Sequence, residues 1–397
     1  MADENRPPRR PGRKVRVELR RNRAQPARGK GRYARRILGD EIEQEDAAQL
    51  QNIGGRSELS RKRTVVIRDE PETAGGLREG RVVALRGLYV DVEEGERRWS
   101  CTIRRMLRTR LIAERAPLAV GDIVRFRAVA RVDEPDAGAT AASKDPPEGV
   151  VEEVQPRRSV LTREYERRVQ VVAANVDLAV IVVAADQPPL RPHLIDRYLV
   201  AIHRGGIEPL ICINKMDLDA SGFAASVGAA YENIGYRVLL TCACRESGAA
   251  TPSGLEALGE LLRDRTSVLF GPSGVGKSSL INALDPDLCL KVGTLSDLQR
   301  GRHTTTTARL LRWRFGGYVV DTPGLRQFEP AGVAPGELEA CFLEFVDLIH
   351  HCRFPNCSHT HEQDCAVKAA VETGSISIDR YESYCKMYAE AAAKPKY

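Results

Sequence analysis

The sequence predicts an α/β protein that has a doubly wound domain between a small β-barrel and a helical Cys/His-rich segment. Three observations predict this arrangement. Short alternating segments occupy residues 63–158, near-continuous apolar segments alternate with amphipathic ones over 159–330, and cysteines and histidines crowd together within 331–397. A chain of 397 residues is also too long for one ordinary domain, which agrees with several cores.

Residues 63–158 predict an OB-type β-barrel. The region contains the segments TVVIR, GRVVALRGLYVDVEE, RRWSCTIRRM, GDIVRFRAVARV and GVVEEV, separated by turn-forming glycines. Several short strands of this kind, closely spaced, are typical of a small barrel. Barrels of this type commonly bind nucleic acid, so we expect RNA binding here by analogy of fold.

The N-terminal segment 1–62 is predicted to be a basic, disordered tail and linker. Residues 1–36 hold 14 Lys and Arg against three acidic residues, whereas the whole chain has a net charge of +6, so the remainder is net negative. Such a tail cannot bury a core and either contacts a polyanion such as RNA or only solubilises the chain.

No secretory signal or membrane span is apparent, and ten cysteines without an export signal argue against a disulfide framework. We therefore expect a cytoplasmic protein.

The doubly wound prediction for 159–330 follows from its alternating pattern. VDLAVIVVAAD, EPLICINKMD and YRVLLTCA are predicted as buried parallel strands, and HLIDRYLVAIHRGG and GLEALGELLRDR as helices. SVLFGPSGVGKSSLINAL is predicted as strand, loop and helix, and YVVDTPG as a last strand that ends in a turn.

The segment 271–278, GPSGVGKS, has the spacing of a phosphate-binding loop and lies between a predicted strand and a predicted helix. Gly271 and Gly276 allow the backbone N–H groups to surround the phosphates, and the helix N-terminus adds partial positive charge. We expect Lys277 to contact the β- and γ-phosphates and act in catalysis, and the Ser278 hydroxyl to bind Mg²⁺.

A second motif, NKMD at 214–217, ends the buried strand PLICI. The Asp217 carboxylate can accept two hydrogen bonds from the N1–H and the amine of guanine, whereas adenine would leave it unpaired. Asn214 supports the other edge of the purine, and the stem of Lys215 covers its face. The nucleotide is therefore predicted to be GTP.

A third motif, DTPG, follows the strand YVV. We expect Asp321 to hold Mg²⁺ through water and the Gly324 N–H to sense the γ-phosphate. A threonine of the run 304–307, taken here as Thr305, is expected to complete the Mg²⁺ shell when GTP is bound. A polar surface loop is the alternative for this run.

The order of these motifs is permuted. NKMD comes before the phosphate loop, whereas in ordinary GTPases it comes late in the chain. A parallel sheet survives such a cut if the original termini lay close together. The predicted fold class is therefore a circularly permuted P-loop GTPase domain, preceded by an OB-type barrel and followed by a helical zinc-binding domain.

The order NKxD, phosphate loop, GRHTTT and DTPG, with a barrel before and a Cys/His knuckle after, resembles the circularly permuted GTPases that depend on the small ribosomal subunit. The resemblance covers roughly residues 63–390 and includes AANVDLAVIVVAAD, LIDRYLVAI and CRFPNCSHTHEQDCAV. It implies GTP hydrolysis stimulated by the small subunit, a role in its late maturation, and the subunit and its rRNA as partners of a monomeric protein.

Two positions depart from common GTPase patterns. Leu325 stands where many GTPases have a glutamine that positions water, so basal hydrolysis should be slow. His303 is a candidate to orient that water, and the resemblance points to the same residue; a solvated loop histidine is the alternative. Cys242 and Ala243 occupy a turn that is ordinarily Ser-Ala, and the Ala243 N–H can still reach guanine O6.

Three cysteines and one histidine, Cys352, Cys357, His359 and Cys365, form a donor set that suits a structural Zn²⁺. Other cysteines and histidines lie close by in sequence and are rival ligands: His350, His351, His361, Cys341 and Cys385. The pattern of the resembled family selects the first four. Unliganded reduced thiols are the alternative.

The predicted GTP-binding residues are Asn214, Lys215, Met216, Asp217, Cys242, Ala243, Gly271, Pro272, Ser273, Gly274, Val275, Gly276, Lys277, Ser278, Ser279, Asp321 and Gly324. The leading hypothesis is a GTPase that acts in assembly of the small subunit. A GTP-dependent RNA-binding switch with little turnover is a second hypothesis, which Leu325 favours. A zinc-containing RNA-binding protein with a vestigial GTPase domain and a permuted GTPase acting on the large subunit are weaker alternatives.

Overall fold

A computed structural model describes ten segments of the chain: residues 13–18, 62–67, 73–87, 89–113, 118–129, 146–165, 168–243, 254–288, 308–321 and 333–393. Two N-terminal strands, β1 (Arg13–Glu18) and β2 (Lys62–Ile67), pair with each other in an antiparallel ladder. Strand β1 lies within the segment 1–62 that is predicted to be a tail and linker, and its sequence RKVRVE alternates charged residues with valine, a pattern that suits a strand.

Five strands form the barrel: β3 (Thr73–Arg86), β4 (Tyr89–Glu94), β5 (Arg97–Ile103), β6 (Ile123–Val129) and β7 (Glu148–Val154). The long β3 pairs with both β4 and β6, so the sheet closes on itself in the order β3-β4-β5-β7-β6. Only the β5–β7 pair is parallel. A helix, α1 (Arg105–Ala113), follows β5. This closed five-stranded arrangement agrees with the predicted OB-type barrel.

Alternate residues of the barrel strands build its core. Val82, Val92, Cys101, Phe126 and Val151 are fully buried. The Trp99 ring packs edge-on against Phe126 at a centroid distance of 5.2 Å. In β6 the arginines on either side of Phe126 are more exposed than it is, as the period of two of a half-buried strand predicts, whereas in β4 Asp91 is buried between Val90 and Val92.

A hairpin of β8 (Val160–Tyr165) and β9 (Arg168–Ala174) connects the barrel to the doubly wound domain. The strands of that domain are β10 (Leu178–Ala184), β11 (Glu208–Asn214), β12 (Val238–Leu240), β13 (Thr266–Phe270), β14 (Arg309–Arg312) and β15 (Tyr318–Asp321). Its helices are α2 (Pro192–Arg204), α3 (Phe223–Ile234), α4 (Leu255–Leu262) and α5 (Lys277–Leu284).

Helices cover both faces of this sheet, whose order is β12-β11-β10-β13-β15-β14. The pairs from β12 to β15 are parallel, and β14 is antiparallel to β15. All seven residues of β10 are buried. Ile181 and Val183 join the core on the α2 face, whereas Val180 and Val182 join the core on the α4 and α5 face. A strand buried on both faces explains the uninterrupted apolar pattern.

The barrel and the doubly wound domain share one sheet. Strand β14 pairs with β3 where Arg309 lies opposite Ala84, so the two sheets join into eleven strands. The Tyr318 hydroxyl donates to Glu93 of the barrel at 2.6 Å. Burial, and then the Glu93 carboxylate, raise the pKa of Tyr318 to about 12, so this donor stays protonated at neutral pH.

The C-terminal part contains α6 (Pro335–Leu338), α7 (Leu343–Val346), α8 (Ala366–Glu372) and α9 (Ile378–Ala393), with short 3₁₀ turns at Glu339–Cys341 and Ile349–His351. Its core contains the aromatic residues Phe342, Phe345 and Tyr384. Helix α9 packs against α2 of the doubly wound domain, and Val200 of α2 belongs to the same core. Among the described residues, no helix has the length and apolar character needed to cross a bilayer.

Candidate functional site

The phosphate loop, residues 271–278, joins the carboxyl end of β13 to the first residues of α5. Gly271, Gly274 and Gly276 have φ angles of 141°, 85° and 96°. A Cβ atom on Gly271 would lie 2.0 Å from the carbonyl oxygen of Val182 in β10. Glycine is therefore required both for the dihedral angles and for the close approach to β10. A curled backbone followed by a helix N-terminus is suited to bind phosphate.

Lys277 and Ser278 are the first two residues of α5. The Lys277 ammonium group donates to the carbonyl oxygens of Gly271 and Pro272, at 2.7 Å each. The lysine side chain therefore reaches from the end of the loop back to its start. A cation held within the loop can act on the oxygens of a polyphosphate there.

Asn214, at the end of β11, connects the NKMD motif to the phosphate loop. Its side chain is buried, and its Nδ2 donates to the carbonyl oxygen of Val275 at 2.9 Å. A Cβ atom on Gly276 would lie 2.3 Å from the same Nδ2 atom. The two motifs, 57 positions apart between Asn214 and Gly271, therefore come together through a direct contact. This is the spatial arrangement that one nucleotide site requires.

Asp217 is exposed at the site, where its carboxylate is available to a base. The Cys242 thiol donates to its Oδ1 atom at 3.1 Å. Cys242 therefore occupies the place where the common pattern has a serine hydroxyl, and its thiol donates to the carboxylate that the sequence predicts to recognise guanine. Lys215, with a left-handed φ of 60°, directs its Nζ atom to the Gln187 carbonyl oxygen.

Thr241 orients the Asn214 side chain through a hydrogen bond. The Thr241 hydroxyl donates to Asn214 Oδ1 at 3.2 Å and lies 3.3 Å from the buried Cys212 thiol. Burial raises the pKa of Cys212 to about 11, which the Thr241 hydrogen bond partly offsets, so this thiol stays neutral. Because the threonine orients the Asn214 amide, it also sets the contact to the phosphate loop. The remaining predicted nucleotide residues in these segments are Met216, Ala243, Pro272, Ser273, Val275 and Ser279.

Asp321 is the last residue of β15. Its Oδ2 atom accepts a hydrogen bond from Arg309 Nε at 3.0 Å. The Ser278 hydroxyl and the Asp321 carboxylate are hard oxygen donors, which is the kind of ligand that Mg²⁺ prefers, so the residues present fit this ion. His303, Thr305, Gly324 and Leu325 lie outside the described residues.

The predicted Cys/His ligands come together in the C-terminal part. Their donor atoms all lie within 4.8 Å of one another: Cys352, Cys357, His359 and Cys365. Cys352 Sγ lies 3.9 Å from Cys365 Sγ and 3.5 Å from His359 Nδ1. Zinc–sulfur bonds of about 2.3 Å in a tetrahedron place two sulfurs about 3.8 Å apart, so this donor set fits Zn²⁺.

Two glutamates support this cluster. Glu339 Oε2 lies 2.8 Å from His359 Nε2, which leaves Nδ1 facing the thiols. Glu362 accepts backbone hydrogen bonds from Ser358 at 2.7 Å and Thr360 at 3.2 Å. Burial opposes ionisation of Glu362, but hydrogen bonds from Ser358 and from the Glu362 backbone, together with the nearby His361, outweigh it and lower its pKa to about 2. A charged Glu362 therefore holds the loop that carries His359.

Four residues of these sites have no predicted role in the sequence analysis: Thr241, Arg309, Glu339 and Glu362. Thr241 could have been suspected, because it directly follows strand β12 and precedes the turn predicted to face guanine. Glu339 could not, because it lies 20 positions before His359 and no spacing rule connects them. Arg309 depends on the pairing of two strands across the sheet.

The chain resembles curated proteins over most of its length. It is 39% identical over 331 residues to a small ribosomal subunit biogenesis GTPase RsgA of Yersinia enterocolitica, covering 81% of this chain and 88% of the relative. It is 42% identical over 275 residues to the protein of the same name from Chlorobaculum parvum, covering 67% of this chain and 83% of the relative.

Two solved structures share the fold. YjeQ from Thermotoga maritima is similar with a TM-score of 0.61 and 35% identity, over 80% of this chain and all of that chain. YloQ, described as a circularly permuted GTPase, has a TM-score of 0.60 and 30% identity, over 81% of this chain and 98% of that chain. The predicted three-part fold class is confirmed.

A phosphate loop in contact with an NKxD motif that precedes it in the chain defines a circularly permuted P-loop GTPase. The family model described as RsgA GTPase matches residues 154–331. The chain belongs to the RsgA family, and it is a GTPase. The resemblance stated from the sequence is thereby confirmed.

Proposed function

We propose that this GTPase hydrolyses GTP during late maturation of the small ribosomal subunit, binds the rRNA of that subunit, and is stimulated by it. The main support for a GTP site is the hydrogen bond between Asn214 and Val275, which brings the NKMD motif against the phosphate loop. The relatives' name, small ribosomal subunit biogenesis GTPase, supports the subunit as the partner. The proposal assumes a cytoplasmic monomer.

Within the site, Asp217 recognises guanine and Lys277 binds the phosphates. Ser278 holds Mg²⁺ directly, Asp321 holds it through water, and Thr305 completes its shell in the GTP state. Mg²⁺ neutralises charge that develops on the phosphates. The Gly324 N–H senses the γ-phosphate. The other residues proposed to hold the nucleotide are Asn214, Lys215, Met216, Cys242, Ala243, Gly271, Pro272, Ser273, Gly274, Val275, Gly276 and Ser279.

His303 is proposed to orient the attacking water. Leu325 stands at the position where many GTPases carry a glutamine, and its side chain can neither orient nor deprotonate water. An activating partner that orders the loop around His303 explains how hydrolysis proceeds. This is why the subunit is proposed as the activator.

We propose that the Cys/His cluster holds one structural Zn²⁺ through Cys352, Cys357, His359 and Cys365. The tight donor set supports this proposal, since four protein ligands leave no position for substrate.

The division of the chain at about residues 63, 159 and 331 into barrel, GTPase and zinc domains is part of the same proposal. The basic residues of 1–36 and the barrel are proposed to contact rRNA.

The test of the function is GTP turnover by the full chain with small ribosomal subunits, with large subunits, and with neither. We expect strong stimulation by the small subunit alone. Lys277→Ala should abolish nucleotide binding, whereas His303→Ala should retain binding and lose the stimulated turnover. Equal rates in all three mixtures would remove the subunit from the proposal, and full stimulation of His303→Ala would remove that residue from the mechanism.

A GTP-dependent RNA-binding switch with little turnover is the second candidate, favoured by Leu325. The switch and the enzyme differ in whether GTP hydrolysis is stimulated. Saturable GTP binding with GTP-dependent binding to rRNA, but without stimulated hydrolysis, would support the switch over the enzyme.

A further inference from the structure

Asp321, the proposed water-mediated Mg²⁺ ligand, forms an ion pair with a residue that neither the motifs nor the proposed function uses. Arg309 lies directly opposite Asp321 in the antiparallel β14–β15 ladder. Arg309 Nε donates to Asp321 Oδ2 at 3.0 Å. Within the described part of the chain, no other cationic side chain forms an ion pair with Asp321. The carboxylate is therefore neutralised by an arginine.

The position of Arg309 connects three parts of the molecule. It is the first residue of β14 and follows Thr305 by four positions in the sequence. Its other ladder partner is Ala84 of the barrel strand β3. The arginine side chain is 59% exposed and that of Asp321 is 25% exposed, so the pair is in contact with solvent and can exchange.

A guanidinium and a hydrated Mg²⁺ are both cations that require the oxygens of this carboxylate. Hydrated Mg²⁺ presents its bound waters as hydrogen-bond donors, and Arg309 already presents an N–H donor to Oδ2. The two interactions therefore compete for one carboxylate, and positive charges close together repel.

We propose that Arg309 is a positioning residue that holds Asp321 in the absence of Mg²⁺ and is displaced when Mg²⁺–GTP binds. The proposal rests on the Mg²⁺ role assigned to Asp321 under the proposed function. Displacement links occupancy of the metal site to the start of β14 and to the barrel strand β3, with which Arg309 pairs. Arg309 thereby raises the Mg²⁺ concentration that tight nucleotide binding requires.

The experiment measures the affinity of the full chain for a fluorescent GDP analogue over a range of Mg²⁺ concentrations, without ribosomal subunits. The variant Arg309→Gln removes the competing charge and keeps a polar side chain. We expect it to lower the Mg²⁺ concentration at half-saturation by about two- to fivefold, the range of an exposed ion pair. Nucleotide affinity in excess chelator should be unchanged.

Two further variants isolate the cause. Arg312→Gln removes the same charge from the same strand at similar exposure, 53%, but this arginine faces Glu93 of the barrel rather than Asp321. It should leave the Mg²⁺ dependence as in the wild type. Arg309→Lys keeps the charge and should lie between wild type and Arg309→Gln. The effect of Arg309→Gln should also shrink at about 1 M salt, where exposed charges are screened.

The outcomes separate this inference from the proposed function. An unchanged or higher half-saturating Mg²⁺ concentration in Arg309→Gln, or an equal effect of Arg312→Gln, would overturn the role of Arg309 and leave the GTPase proposal intact. Nucleotide affinity that does not depend on Mg²⁺ in the wild type would overturn both the role of Arg309 and the Mg²⁺ assignment. Stimulation by ribosomal subunits is tested independently of either result.

Discussion

At the scale of single residues, the Asp217 carboxylate, which we propose recognises guanine, accepts a hydrogen bond from a thiol. Asp217 is exposed, and Cys242 donates to its Oδ1 at 3.1 Å. A thiol is a weaker donor than the serine hydroxyl common at this position. Under the proposed function this carboxylate is oriented before it accepts the two guanine donors, so we expect the Cys242 contact to reduce the cost of ordering Asp217 on binding.

We predict that Cys242→Ala will weaken GTP binding by about two- to tenfold, the range of one net hydrogen bond. The measurement is the equilibrium affinity for GTP and for ITP, which lacks the exocyclic amine. Cys242→Ser restores a donor and should bind GTP as tightly as the wild type or more tightly. If Cys242→Ala binds GTP as the wild type does, the thiol has no part in orienting Asp217.

At the scale of elements, the Cys/His cluster depends on a turn that is remote in sequence. The 3₁₀ turn Glu339–Cys341 supplies Glu339, whose carboxylate lies 2.8 Å from His359 Nε2. The His359 side chain is 1% exposed, so water cannot replace this partner readily. A carboxylate behind a histidine ligand fixes the ring orientation and increases its basicity toward the metal.

We predict that Glu339→Gln will lower zinc affinity by about 10- to 100-fold while the protein remains folded. Competition with a chromophoric zinc chelator measures this affinity. Glu337→Gln is the matched control, because Glu337 lies in the neighbouring α6 and its carboxylate forms an exposed ion pair with Arg204 at 3.8 Å, away from His359. Equal zinc affinity of the two variants would show that Glu339 does not support the metal site.

At the scale of the whole molecule, a buried ionic network joins the C-terminal part, which contains the Cys/His cluster, to the GTPase domain. Arg380 of α9 donates to Asp196 of α2 and, with two nitrogens at 2.7 and 2.9 Å, to Glu344 of α7. The side chains of Arg380 and Asp196 are 7% and 1% exposed. Burial lowers the pKa of Arg380, but the two carboxylates outweigh this effect and raise it, so the arginine remains charged.

We predict that Arg380→Ala will lower the free energy of unfolding by about 3–5 kcal/mol, because it leaves two buried carboxylates without their cation. The control is Arg197→Ala, since Arg197 and Glu390 join the same two helices through an exposed pair. Its expected cost is about 0–1 kcal/mol. Chemical denaturation of both variants measures the difference, and similar losses would contradict a special role for the buried network.

The sequence by itself determined the features that depend on local spacing. Residues 271–278 predict a phosphate loop because curled backbone and a helix N-terminus need only neighbouring residues. The all-apolar strand Leu178–Ala184 indicates a covered parallel sheet for a similar reason, since burial on both faces removes alternation. The three-part fold class and the family resemblance rest on such local patterns, and the structure and the relatives confirmed both.

Only the tertiary structure decided the contacts between distant positions. Arg380 and Asp196 are 184 positions apart, and the Arg309–Ala84 pairing that joins barrel and GTPase sheets spans a comparable distance. Partners so far apart meet through the packing of whole elements, which no local spacing specifies. The positions of Glu339 beside His359 and of Arg309 on Asp321 follow from strand register and helix docking, and these depend on the complete core.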